Sequence, residues 1–178
     1  IGTPPIVALG SDELKRRVVP EILGGEKISA LAITEPSGGS DVANLKTRAV
    51  RDGDDYVLNG SKTFITSGMR ADYYTVAVRT GGEGIGGISL ILVERDRPGF
   101  SRTILDKMGW WCSDTATLYF DDCRVPAANL LGAENEGFRG IMLNFNSERF
   151  GIAAMAHGLA QVCLDEATSY AHVRQTFG

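Results

Sequence analysis

The sequence predicts an α+β fold: an antiparallel β-barrel or sandwich as the middle domain, flanked by an N-terminal helix and a long C-terminal helix. Two observations predict it. From Ala30 to Val125 the apolar runs are short, carry the period of strands, and are broken regularly by Gly, Asp and Pro. After Gly132 the pattern becomes helical and stays so to about Arg174. The expected divisions are 1–29, 30–133 and 134–178.

Residues 1–10 are apolar and irregular, with Pro4 and Pro5 together. Ser11 is a good N-cap, followed by Asp12 and Glu13 in the first turn and by Leu14, Val18, Ile22 and Leu23 as apolar positions. That helix should end near Gly24-Gly25, and Pro20 inside it predicts a kink or a break. Strand signals then follow one another. Residues 45–51 alternate, Asp52-Gly53-Asp54-Asp55 turns the chain into 56–58, and Asn59-Gly60 reads as a second turn leading into 62–66. Residues 73–79 and 88–94 are strands joined by a glycine-rich connector over 81–87. Strands over 100–105 and 115–125 complete the set.

On the C-terminal helix, Ile141, Phe145, Ile152, Met155 and Leu159 form one apolar stripe. Leu143, Phe150 and Ala154 lie on another side, so more than one neighbour must cover this helix.

Composition narrows the function classes. The chain has 178 residues, a net charge of −4 and a hydrophobic fraction of 43%. That is enough chain for one sizeable core, and the mild acidity argues against a nucleic-acid surface. Cys112, Cys123 and Cys163 are odd in number and widely spaced, which disfavours a metal site or a disulfide framework and points to a reducing compartment. No stretch has the length and apolarity of a membrane span, and no signal peptide is visible. The chain begins at Ile1 rather than Met and stops after a helical run, so it reads as an excerpt of a longer protein.

The chain is organised around residues 31–41. Leu31, Ala32 and Ile33 form a strand that Pro36 stops, because proline has no N–H for the ladder. Ser37, Gly38, Gly39 and Ser40 follow as a loop whose small residues and hydroxyls suit the approach of a phosphate.

Thr34-Glu35-Pro36 with Gly39-Ser40-Asp41 resembles the flavin-binding signature of the acyl-CoA dehydrogenase family. Further pieces follow in the family's order and approximate spacing. They are Phe64-Ile65-Thr66, Gly109 with Cys112-Ser113-Asp114-Thr115, Val125-Pro126 with Asn129-Leu130-Leu131-Gly132, and Arg174-Gln175-Thr176-Phe177-Gly178. The resemblance covers nearly the whole chain. It implies that 1–29 ends an N-terminal helical domain, that 30–133 is the β-domain holding FAD and acyl-CoA, and that 134–178 begins a C-terminal helical domain.

The resemblance also implies roles. Leu31, Ala32, Ile33, Thr34, Gly39 and Ser40 lie at the FAD, with Thr34 bonding to the ring and Ser40 to the pyrophosphate. Phe64 lies against the isoalloxazine, with Ile65 and Thr66 beside it. Many family members have Trp where Phe64 stands. Arg174, Gln175 and Thr176 match a segment that binds FAD across a dimer interface. Ser40, Asn146, Ser147, Glu148 and Arg149 match substrate-lining positions, and Cys112 to Thr115 is structural.

Glu148 is the expected catalytic base, at the position used by members resembling the long-chain and isovaleryl enzymes; many other members carry the base in the C-terminal bundle, which is the alternative. Its spacing from Ile141, Phe145, Ile152 and Met155 puts it on their apolar stripe, where a carboxylate is partly desolvated. The implied activity is oxidation of an acyl-CoA to its 2,3-enoyl-CoA, in the manner of β-oxidation, with electrons passed to an electron-transferring flavoprotein. The implied protein is a homodimer or homotetramer, cytoplasmic in bacteria or in the mitochondrial matrix in eukaryotes. A non-catalytic relative, a family oxidase or an enoyl-CoA reductase is the alternative.

Overall fold

The β-region folds as one eight-stranded sheet in a computed structural model that describes residues 1–177. Gly178, the last residue of the C-terminal motif, lies outside the described residues. The chain divides into two compact units, Ile1–Ile141 and Met142–Gly178.

In the first unit, α1 (Thr3–Leu9) occupies the stretch expected to be irregular. Pro4 and Pro5 sit in its first turn, where no intrahelical N–H is needed and the proline φ is already helical. Next, α2 (Asp12–Leu23) starts at Ser11, whose hydroxyl accepts from Leu14 N at 3.1 Å, and buries Leu14 and Val18. Of the expected kink or break at Pro20, the break does not occur: α2 runs through Pro20 to Leu23.

The strands are β1 (Ser29–Ala32), β2 (Arg48–Asp52), β3 (Asp55–Thr66), β4 (Tyr73–Arg79), β5 (Ile88–Glu94), β6 (Phe100–Ile104), β7 (Thr115–Pro126) and β8 (Leu130–Leu131). Their order is β6-β7-β3-β2-β4-β5-β8, with β1 on β4. Consecutive hairpin pairings are antiparallel, whereas β1 and β2 both meet β4 in parallel. The interior of β4 and nearly all of β5 are buried, as expected of strands covered on both faces. Thr75 Oγ1 donates to the Gly2 carbonyl at 2.9 Å, tying β4 to the start of α1. Tyr74, Phe100 and Phe120 form a chain of aromatic contacts inside, at 4.8 and 5.2 Å between centroids.

The connector over 81–87 is pinned by Arg79, which donates to the carbonyls of Gly82 and Gly84, and also to those of Ala43 and Leu45.

Asn59-Gly60 is not a turn. β3 continues through it, and Asn59 faces two residues of β7, Asp121 and Asp122. The Asn59 amide pairs reciprocally with Asp122, donating to its carboxylate and accepting its N–H at 2.9 and 3.0 Å. Gly60 has φ +141°, and a Cβ there would lie 2.8 Å from Thr47 Cα. The dipeptide therefore marks a close crossing of chains rather than a reversal.

In the second unit, α3 (Gly137–Val173) continues from the first and carries Phe150, Ile152, Leu159, Val162 and Leu164 exposed. Among the described residues no helix is long and apolar enough to cross a membrane.

Gly60→Ala should cost about 2–3 kcal/mol, from strain and the clash with Thr47. Gly53 also has positive φ but open space around it, so Gly53→Ala should cost only about 1 kcal/mol. Thermal melting of the full-length protein should show the larger drop for Gly60→Ala; equal drops would mean that the Thr47 contact carries no weight.

Candidate functional site

The site begins with a lysine inside the sheet. β3 turns Lys62 inward, leaving its side chain 0% exposed. A buried ammonium requires acceptors. Lys62 Nζ donates to Glu35 Oε1 at 2.8 Å and to the Ile33 carbonyl at 3.0 Å. Glu35 is itself buried, and also accepts the backbone N–H of Lys46 at 2.7 Å and of Thr47 at 2.8 Å. Burial alone would raise the Glu35 pKa, but the Lys62 charge and these donors hold it below the usual value. Burial pulls the Lys62 ammonium down to about 8, with Glu35 opposing the shift.

This pair fastens the segment after β1 to β3. Between its two bonds, Thr63 N donates to the Thr34 carbonyl at 2.8 Å. Glu35 and Gly38 exchange backbone bonds at 3.0 Å in both directions, so the Gly38 N–H is already used and not free for a ligand. A Cβ at Gly39 would lie 2.9 Å from Thr34 Cγ2, which explains a glycine beside the strand end.

Immediately after Lys62 the ladder slips. Lys62 pairs with Leu118 and Ile65 with Ala116, so Thr63 and Phe64 together face Thr117. Thr63 and Thr117 share a hydroxyl bond at 3.1 Å. Phe64 adopts φ +58°, which costs a non-glycine residue about 1–2 kcal/mol. Phe64 is 70% exposed, while Lys62, Thr63 and Ile65 around it are buried. The slip thus turns outward a ring that an unbroken strand would alternate inward.

Beyond Thr66 the chain is held by Asp114. Its carbonyl accepts Ser67 N, and its carboxylate accepts Met69 N at 2.7 Å and Arg70 Nε at 2.5 Å. Burial would raise the Asp114 pKa, but Arg70 and the Met69 amide hold it low. Asp114 thus gives the Cys112–Thr115 motif a structural task.

Ala32, Ile33 and Ile65 are buried and Leu31 half-buried, so their side chains serve the core and their backbones are what a ligand can reach. Thr34 is half-buried, while Gly39, Ser40, Phe64 and Thr66 are exposed. The hydroxyls of Thr34, Ser40 and Thr66 have no hydrogen-bond partner among the described residues. An outward aromatic ring, with the uncommitted hydroxyl of Thr66 two residues on and that of Thr34 on the segment bonded to Thr63, fits a flat heteroaromatic group with polar edges, as a flavin is.

In the second unit, Asn146, Ser147 and Arg149 are exposed and Glu148 is half-buried. Glu148 Oε1 is a buried atom with no hydrogen-bond partner among the described residues. Arg149 lies over the Phe145 ring, 5.3 Å from its centroid, and makes no ion pair with Glu148. Arg174, Gln175 and Thr176 follow the last turn of α3 and are exposed, with Arg174 N donating to the Tyr170 carbonyl at 2.9 Å.

Sequence reasoning missed Glu35 and Lys62, and also Asn144, which is 4% exposed with neither amide atom partnered among the described residues. Asn144 precedes Glu148 by one helical turn, a spacing that could have singled it out.

The family model for the acyl-CoA dehydrogenase middle domain matches residues 30–123, and that for the C-terminal domain matches residues 135–178. An acyl-CoA dehydrogenase of Bacillus subtilis is 44% identical over 180 residues, covering 100% of this chain and 48% of its own. A crystal structure of a probable acyl-CoA dehydrogenase from Mycobacterium abscessus is 59% identical, with TM-score 0.98, covering 100% of this chain and 48% of its own. A chain in the structure of the electron-transferring flavoprotein of Acidaminococcus fermentans is 44% identical, with TM-score 0.93, covering 98% of this chain and 46% of its own. The chain therefore spans about half the length of the curated relatives it matches.

Because the folded-state pKa of Glu35 lies below its unfolded value, its contribution to stability is complete above the ordinary carboxylate range. It is lost as pH falls below about 5, where the unfolded chain binds the extra proton. Lys62→Met, which strands the Glu35 carboxylate, should cost about 3–5 kcal/mol near neutral pH. Thermal melting of the full-length protein across pH checks both, and a Lys62→Met melt matching the parent's would remove the pair from the list of stabilising contacts.

Proposed function

The chain belongs to the acyl-CoA dehydrogenase family, and on that premise we propose that its full-length protein oxidises an acyl-CoA thioester to the 2,3-enoyl-CoA using FAD. The observation that carries this reading is Phe64, held at φ +58° with an exposed ring between two buried neighbours.

Bound FAD supplies a two-electron acceptor for the β-hydrogen of the substrate, which leaves as hydride. Phe64 stacks on the flat ring system. The Thr34 and Thr66 hydroxyls donate to its polar edge, and Ser40 donates toward the pyrophosphate. Glu148 removes the α-proton, whose acidity comes from the adjacent thioester carbonyl. Its unpartnered Oε1 supports this role, since a buried carboxylate oxygen with a purely structural task is normally bonded. Asn146, Ser147 and Arg149 line the acyl-CoA. Arg174, Gln175 and Thr176 contact FAD of a partner subunit, in a homodimer or homotetramer. That assembly, or a further helical bundle of the full-length protein, covers the exposed apolar side chains of α3. Electrons pass on to an electron-transferring flavoprotein, in keeping with the flavoprotein structure in which a similar chain is found.

In single-turnover assays of the full-length protein, Glu148→Gln should slow flavin reduction by acyl-CoA by several orders of magnitude while FAD and acyl-CoA still bind. Reduction at close to the parent rate would move the base elsewhere. Phe64→Ala should weaken FAD retention and Phe64→Trp should preserve it, as followed by flavin fluorescence. If both hold FAD like the parent, the stacking role is lost.

A further inference from the structure

Phe64 occupies a backbone conformation that its own Cβ disfavours, so its surroundings must impose it. On the C-terminal side Ile65 is sunk in the core, and the following turn is tied to Asp114. Across the ladder, Thr63 is bonded to Thr117. On the N-terminal side the anchor is Lys62, two residues before Phe64.

Three bonds join residues 33–35 to residues 62–63. They are Lys62 Nζ to the Ile33 carbonyl, Lys62 Nζ to Glu35 Oε1, and Thr63 N to the Thr34 carbonyl. Two of the three depend on one ammonium group. Without it, the extra residue of the slip has a single bond holding it on that side, and an ordinary β conformation for Phe64 becomes accessible. Lys62 is fully buried and has no surface for a ligand, so any effect on a ligand must pass through the backbone that it holds.

We infer that the Lys62–Glu35 pair is a positioning element for the flavin: it locks the Thr63-Phe64 slip so that the Phe64 ring stays turned outward, without touching the cofactor. The inference rests on the reading of Phe64 as a flavin contact. It adds that a buried ion pair, anchored two residues before Phe64, sets how well that contact is made. A pair that only stabilised the sheet would lower the melting temperature and leave no specific link to Phe64.

A double-mutant cycle on FAD affinity separates the two. The full-length apoprotein is prepared as parent, Lys62→Met, Phe64→Ala and the double variant, and FAD dissociation constants are measured by quenching of flavin fluorescence. Temperatures are chosen at which far-ultraviolet circular dichroism of every variant matches the parent. Lys62→Met should weaken FAD binding about tenfold in the parent background and less than about twofold where Phe64 is already Ala. An equal factor in both backgrounds overturns the inference while leaving the stacking role intact. Phe64→Ala with parental affinity overturns the stacking role, and the inference with it. If Lys62→Met does not accumulate as folded protein, Lys62→Gln takes its place in the cycle, since it keeps a donor for one acceptor but carries no charge. The same two outcomes then decide.

Discussion

Much of the candidate site depends on one electrostatic constraint: an ammonium group that has no access to water must find its acceptors within the protein. Lys62 finds two, and both belong to the segment just after β1. The Glu35 carboxylate then needs donors for its remaining lone pairs, and takes them from the backbone of Lys46 and Thr47 at the entry to β2. One buried charge pair thereby ties together three stretches of chain. Replacing such a pair with apolar side chains of similar volume is often neutral for stability. Its presence here is better understood through what it orients than through what it contributes to the core.

The regular parts of the fold were legible because their chemistry is local. The N-cap and first turn at Ser11–Glu13 predicted the start of α2, and the apolar runs over 73–79 and 88–94 predicted β4 and β5 to the residue. What misled was punctuation. Pro4 and Pro5 read as breakers, although in a first turn proline is compatible with a helix. Pro20 forfeits one hydrogen bond, yet α2 carries it, with buried Leu14 and Val18 anchoring the same helix. Asn59-Gly60 has the composition of a hairpin turn, but the conformational freedom of Gly60 is used to pass beside Thr47.

The candidate site was legible in identity and not in geometry. Phe64 and Thr66 could be singled out by motif, whereas the slip that turns Phe64 outward is visible only in the pairing of Lys62 with Leu118 and Ile65 with Ala116. Alternation along a strand cannot reveal where alternation fails. Lys62 was overlooked for a related reason. A lysine in a strand reads as solvent-facing, and its partner stands 27 positions earlier, beyond the reach of any periodicity.

The order of the strands also bears on how the chain emerges from a ribosome. β1 has no sheet partner until β4 exists, since Ser29 pairs with Tyr73 and Ala32 with Val76. The Arg17 guanidinium waits longer, for Glu94 and Asn129. Until translation has passed β4, β1 has no strand to pair with, and α1 and α2 have chiefly each other to pack on. The nascent segment is then a natural client for a chaperone that shields short apolar stretches, and the sheet closes over it only late in synthesis.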